Sequence, residues 1–111
     1  MPIRDLSLII LSYLLGGIPF SYILGQLKGK DLLETGDRNP GAWNLMFNVN
    51  RKAGFLGALL DGGKGLGAYL LGANLGLSAW VPYFCAVSCI LGHNWSPFLR
   101  FKGGKGVAAY V

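Results

Sequence analysis

The feature that most constrains the fold is a stretch of 22 residues, 6–27, without a charged side chain. At about 1.5 Å of rise per residue, a helix of this length crosses the hydrocarbon core of a bilayer. Gly16-Gly17-Ile18-Pro19 interrupts the stretch, because proline removes a backbone donor and crowds the preceding turn. We predict a retained, kinked spanning helix near 6–27, since the apolar run is long for a cleaved signal peptide.

A second run without charge extends from Gly65 to Gly92. With the apolar residues upstream it is too long for one helix, and the glycine-rich segment 72–78 supplies a break. We predict helices near 53–72 and 78–92 and the start of a fourth near 104–111. The predicted class is an all-α integral membrane fold with about three transmembrane helices plus the start of a fourth, in a single membrane domain spanning 1–111.

The formal net charge is +5 and the mean hydropathy is +0.44. A basic chain can bind nucleic acid, but here most Lys and Arg residues lie between the first two helices or after the third. The positive-inside rule then places loops 28–52 and 93–103 in the cytoplasm and the N-terminus outside. We predict a multi-pass protein of the inner (cytoplasmic) membrane, in contact with membrane lipids and without a nucleic-acid partner.

The remaining composition argues against several kinds of site. Cys85 and Cys89 are four residues apart on one predicted helix face and are predicted to be buried apolar residues without a disulfide. With a single histidine, no metal site is predicted. A P-loop needs Ser or Thr after Gly-Lys, and glycine follows both Lys64 and Lys105.

The second predicted helix carries two charges, Asp61 and Lys64, which are expensive inside a bilayer and often mark function. Their spacing of three allows them to pair on one helix face. That face also holds small residues, and the opposite face is bulky and apolar. The pair is either a structural ion pair that fixes helix packing or a pair that faces a substrate groove.

Two polar segments, residues 36–44 and residues 92–107, flank these helices on the predicted cytoplasmic side. In the first, Pro40-Gly41 predicts the centre of a type II turn, whose backbone N–H groups can bind an anion. A plain polar turn between helices is the alternative. The second segment combines glycines, Lys105 and the start of a helix, which together are typical of a phosphate site. The candidate site residues are Arg38, Asn39, Gly41, Asn44, His93, Asn94, Ser96, Lys102, Gly103, Gly104, Lys105 and Gly106, with Asp61 and Lys64 as a groove ion pair.

Residues 92–108, GHNWSPFLRFKGGKGVA, closely resemble the second signature of the bacterial membrane acyl-phosphate:glycerol-3-phosphate acyltransferases of the PlsY type. Segments 17–20 (GIPF), 39–44 (NPGAWN) and 60–65 (LDGGKG) are similar to the family pattern in the same order. The resemblance runs from about residue 14 to the end. It implies that the chain is the N-terminal part of a seven-helix fold. On this interpretation we expect the chain to be inactive alone.

The resemblance also implies a reaction. A fatty acyl group passes from acyl phosphate to the 1-hydroxyl of glycerol 3-phosphate, which gives 1-acylglycerol 3-phosphate for phospholipid synthesis without a cofactor. Lys105 and the backbone around it would bind phosphate, opposite the loop that contains Asn39, Gly41 and Asn44. His93, Asn94 and Ser96 would shape the site through hydrogen bonds. No catalytic residue and no oligomeric state are assigned.

The chain departs from the family pattern at several positions. Asp37-Arg38 stands where Ser-Gly is usual, Trp43 and Ala109 each replace a usual Thr, and Phe47 replaces a usual Arg. Arg38 has the charge to replace the missing phosphate-binding arginine, which is a hypothesis. The competing interpretation is a non-catalytic membrane protein that binds phosphate, lipid head groups or a partner protein.

Overall fold

The computed structural model describes residues 2–99, and every regular element in this range is helical. The prediction of an all-α fold is therefore confirmed for this part of the chain, and the predicted fourth helix near 104–111 lies outside it. The elements are α1 (Ile3–Gly17), α2 (Phe20–Leu27), α3 (Ala42–Asn48), α4 (Arg51–Leu75) and α5 (Val81–Asn94), followed by a 3₁₀ turn at Pro97–Leu99.

The first span is divided into two helices, where the sequence predicted one kinked helix. Ile18 has an extended backbone (φ −65°, ψ 114°), the conformation expected of a residue that precedes proline. Helix α1 therefore ends at Gly17 and α2 begins at Phe20. The carbonyl groups around this break lose their helical partners and need other donors.

A short helix, α3, lies inside the predicted loop 28–52. With only seven residues it is too short to show a helical period in the sequence. Leu45 on α3 packs in a buried cluster with Leu32 and Ala53, and this contact holds the helix in place. Asn50 then caps α4 by accepting a hydrogen bond from the Ala53 N–H at 2.8 Å.

The three long helices pack through small residues, as expected where backbones approach closely. A side chain at Gly16 would collide with the backbone carbonyl of Cys89, and one at Gly92 with the carbonyl of Tyr13. On α4 the buried residues are Ala53, Gly54, Gly57, Lys64, Ala68 and Gly72. The bulky residues of its opposite face are exposed, namely Phe55, Leu59, Leu66 and Leu70.

Large apolar side chains cover much of the surface of the described residues. By length and composition, Ile3–Leu27 is the one helical segment of residues 2–99 that is apolar enough to cross a membrane. Cys85 and Cys89 are buried free thiols, as predicted.

Candidate functional site

The interruption at Ile18 and Pro19, between α1 and α2, is called the break here, and a lysine from α4 binds the backbone around it. The Lys64 ammonium donates hydrogen bonds to the carbonyls of Gly16 at 2.7 Å and Ile18 at 2.8 Å. Lys64 is only 4% exposed, so its charge depends on these partners. The carbonyl between them, that of Gly17, accepts a 2.5 Å hydrogen bond from the Ser96 hydroxyl. Side chains from α4 and from the segment after α5 therefore supply hydrogen-bond donors to the carbonyl groups at the break.

Asp61 and Lys64 form the ion pair that their spacing allows, with 3.1 Å between Asp61 Oδ1 and Lys64 Nζ. The other carboxylate oxygen accepts a 2.6 Å hydrogen bond from the Ser21 hydroxyl on α2. The pair links α2, α4 and the break while adding no net charge to the interior. This geometry fits the interpretation of the pair as a structural ion pair that fixes helix packing. The other interpretation, that the pair faces a substrate groove, remains a prediction.

The single histidine of the chain joins this cluster from α5. His93 Nδ1 lies 3.3 Å from Lys64 Nζ, and the ring is half-buried. Because Lys64 contacts both the break and His93, one ammonium fixes the relative positions of α1, α4 and the end of α5.

Asn44 organises the segment that precedes α3. Its side chain is buried, and its amide nitrogen lies within 3.1 Å of the carbonyls of Leu32, Thr35 and Asn39. Its amide oxygen accepts a 2.8 Å hydrogen bond from the side chain of Asn48. Through these contacts the buried Asn44 side chain holds together the loop between α2 and α3.

The prediction of a type II turn at Pro40-Gly41 is wrong. Such a turn needs a positive φ at its third residue, whereas Gly41 is extended with a φ of −83° and precedes the first residue of α3. The Asn39 side chain instead accepts a 2.9 Å hydrogen bond from the Gly41 N–H. That N–H group is therefore occupied inside the loop, and the predicted presentation of this donor to an anion does not occur.

A cleft of about 430 Å³ separates this loop from α5. We call it the central cleft; it is lined by Asp37, Asn39, Gly41, Ala42, Trp43, Asn44 and His93. A pocket of about 10 Å³ continues from it past Gly41 and His93 to the break and Asp61. An apolar groove of about 370 Å³ also borders the break, and its lining includes Tyr22, Ile23 and Phe98.

The other predicted site residues have varied positions. Arg38 is exposed and has a positive φ of 61°, which is unusual for a residue other than glycine. Asn94 is half-buried at the last position of α5, and Ser96 binds the break. Lys102, Gly103, Gly104, Lys105 and Gly106 lie outside the described residues, so their predicted phosphate contacts remain predictions.

The sequence does not predict the roles of Ser21 and of the backbone carbonyls that Lys64 binds. The signal for the carbonyls was present, because Gly16-Gly17-Ile18-Pro19 predicts an interrupted helix and an interrupted helix exposes carbonyl groups. No comparable signal identifies Ser21, since a single serine in an apolar helix is common and its partner is 40 residues away.

Comparisons with known proteins agree with this architecture. A family model described as glycerol-3-phosphate acyltransferase matches residues 6–111. Glycerol-3-phosphate acyltransferase 1 of Deinococcus radiodurans is 43% identical over 108 residues, which are 97% of this chain and 54% of that protein. The Aquifex aeolicus glycerol-3-phosphate acyltransferase is 41% identical over 106 residues, with 95% and 55% covered. The chain thus spans about half the length of the curated relatives it matches.

Solved structures extend the likeness to three dimensions. The glycerol 3-phosphate form of PlsY, an integral membrane glycerol 3-phosphate acyltransferase, superposes with a TM-score of 0.82 at 41% identity. That match covers 94% of this chain and 52% of PlsY. The lysophosphatidic acid form gives a TM-score of 0.80 at 40% identity, with the same coverage. These matches confirm the prediction of an all-α integral membrane fold.

Proposed function

The chain belongs to the glycerol-3-phosphate acyltransferase family, and we propose that it contributes the matching half of an enzyme that acylates glycerol 3-phosphate. The acyl donor is acyl phosphate and the product is 1-acylglycerol 3-phosphate. Because the chain spans about half of its relatives, turnover requires the remaining half of the fold. Acyl phosphate as donor, membrane lipids as surroundings and any oligomeric state are parts of this proposal.

The proposed step needs no nucleophilic side chain. The 1-hydroxyl oxygen of glycerol 3-phosphate attacks the acyl carbon, the bond from that carbon to the phosphate oxygen breaks, and the departing phosphate takes up the hydroxyl proton. Since acyl phosphate is already activated, the protein has to align two anionic substrates and neutralise their charge. Cys85 and Cys89 are buried in α5 and stay outside this chemistry.

The observation that carries the proposal is the meeting of the two polar segments at one cleft. Asn39 and Gly41 from the first segment and His93 from the second line the central cleft. The apolar groove at Ile23 and Phe98 shares Pro19 and Leu99 with the small pocket beside the cleft. A polar head in the cleft and an acyl chain along the groove fit this order of surfaces.

Charge supports the same assignment. Arg38 belongs to the loop that lines the cleft, and Lys102 and Lys105 follow His93 in the sequence; each carries the positive charge that a phosphate requires. We propose that Lys105 and the N–H groups of its glycines bind one phosphate. Arg38 supplies the opposing charge in place of an arginine at position 47.

We also propose that both polar segments face the cytoplasm and that the N-terminus is outside. The concentration of basic residues in those segments supports this orientation. Labelling with a membrane-impermeant thiol reagent tests it, after a cysteine is introduced at exposed Lys30 or at Pro2. A cysteine at position 30 that reacts from the outside would contradict the orientation.

The activity is tested by producing this chain together with the complementary half of the Aquifex aeolicus relative in one membrane. Acyl-phosphate-dependent acylation of radiolabelled glycerol 3-phosphate is then measured in membranes with both halves, with this chain alone and with the complementary half alone. We expect product only when both halves are present.

The matched control pairs the complementary half with the corresponding half of the same Aquifex relative. If that pair makes product and the pair containing this chain does not, the proposed activity is wrong. Phosphate binding by this chain without turnover would then favour the non-catalytic alternative, to which the exposed Trp43 and Phe47 would add a lipid-facing surface.

A further inference from the structure

The Lys64 ammonium has more neighbours than it has protons to share. An ammonium carries three N–H donors and no acceptor. Two donors go to the carbonyls of Gly16 and Ile18. The third N–H faces two groups, Asp61 Oδ1 at 3.1 Å and His93 Nδ1 at 3.3 Å.

This arrangement determines which ring nitrogen of His93 carries the proton. A neutral imidazole has one N–H and one acceptor nitrogen, and the hydrogen bond to one nitrogen fixes the state of the other. Because Lys64 can only donate, Nδ1 must be the acceptor. A proton on Nδ1 would set two donors against each other at 3.3 Å.

The remaining nitrogen then has a defined role. His93 lines both the central cleft and the small pocket beside it, while Nδ1 is occupied by Lys64. We propose that Lys64 holds His93 in the tautomer protonated on Nε2, so that His93 gives a fixed N–H donor to an anionic ligand oxygen in the central cleft and is not a general base. The tautomer is inferred from the contact between Lys64 and His93 alone, whereas the identity of the ligand rests on the proposed function.

The tautomer is directly measurable because the chain has one histidine. The full chain is labelled with ¹⁵N-histidine in lipid nanodiscs and studied by NMR at mildly alkaline pH, where a free imidazole is neutral. We expect a directly bonded proton on Nε2 and an Nδ1 resonance at the shift of an unprotonated nitrogen. A proton on Nδ1 in the wild-type chain overturns the proposal.

Two Lys64 variants separate the tautomer from general stability. Lys64→Arg keeps a donor-only cation and is expected to retain the Nε2 proton. Lys64→Met removes the donor and is expected to give a mixture of both tautomers. If a folded Lys64→Met chain keeps the pure Nε2 tautomer, Lys64 does not control the ring and the proposal fails.

Ligand titrations test the second part. Glycerol 3-phosphate and inorganic phosphate are each added, and we expect the Nε2 resonance to shift more than the Nδ1 resonance. His93→Phe is expected to weaken glycerol 3-phosphate binding at least about tenfold, and His93→Gln, which restores an N–H donor but no base, to recover most of that loss. Equal loss in both variants overturns the donor role.

The ligand titrations and the paired-halves assay can distinguish a failure of the His93 donor role from a failure of the proposed function. Glycerol 3-phosphate binding detected with radiolabelled ligand, without any change at Nε2, refutes the donor role and leaves the acyltransferase assignment intact. Acyl transfer failing in the paired-halves assay, while phosphate still shifts Nε2, refutes the proposed function and supports His93 as an anion donor.

Discussion

Replacing Lys64 by methionine tests how strongly the buried ion pair holds the break in the first span. Methionine has a similar length but leaves Asp61 charged with only the Ser21 hydroxyl as a partner. Removing one partner of a buried pair typically costs about 3–5 kcal/mol. Against a total unfolding free energy of about 5–15 kcal/mol, this loss is large.

The magnitude can be divided between charge and hydrogen bonding by a second substitution. Lys64→Met with Asp61→Asn removes the unpaired charge and leaves the carbonyls of Gly16 and Ile18 without a side-chain donor. Hydrogen bonds between membrane helices are worth about 0.6–2 kcal/mol each, so the double variant, which loses two of them, should lose about 1–4 kcal/mol. We therefore expect the double variant to be about 1–2 kcal/mol more stable than Lys64→Met alone.

The assay is reversible unfolding in mixed micelles, followed by the helical circular dichroism signal as the denaturing detergent is increased. Lys52→Met is the matched control, since it is the same substitution at an exposed position of the same helix and should change stability by less than about 0.5 kcal/mol. If Lys64→Met and Lys52→Met have the same stability, the ion pair does not hold the break and the reasoning is wrong.

Three further perturbations probe other parts of the molecule. Gly92→Ala drives a methyl group toward the Tyr13 carbonyl and should lower the free energy of unfolding by about 1–3 kcal/mol. Gly62→Ala has open space around it and should raise the free energy of unfolding by about 0.5–1 kcal/mol. Equal melting temperatures for the two variants would contradict the close approach of Gly92 to Tyr13. Arg38→Gly relieves a positive φ and should stabilise the fold by about 1 kcal/mol while weakening glycerol 3-phosphate binding in a radioligand assay; unchanged affinity would refute the phosphate role of Arg38. Asn44→Ala frees three loop carbonyls and should make the amides of residues 30–41 exchange with solvent faster in mass spectrometry, while the amides of α5 stay protected.

The features that the sequence predicted well depend on local spacing. Asp61 and Lys64 are three residues apart, so a helix brings them to the same face whatever surrounds it. The same holds for the small and bulky faces of α4, which the structure buries and exposes respectively. Pro19 likewise predicts an interruption by its own covalent geometry.

The features that the sequence did not predict depend on distant partners. The sequence predicts a place for Asn44 in an anion-binding loop, but it does not predict that the Asn44 side chain donates to carbonyls up to 12 residues away. The sequence predicts a turn with a positive φ at Gly41, but the Gly41 N–H donates to the Asn39 side chain and Gly41 is extended before α3. A local pattern states which hydrogen bonds are possible, and only the folded chain decides which partner is near enough to make them.

The break at Ile18–Pro19 has a consequence for how the protein enters the membrane. Its freed carbonyls are satisfied by Lys64, which leaves the ribosome 46 residues after Ile18, and by Ser96, which follows still later. Lipid offers no donor to such groups in the meantime. The first span therefore cannot reach its final shape when it is inserted, and it reaches that shape only after α4 and then the segment that follows α5 have arrived beside it.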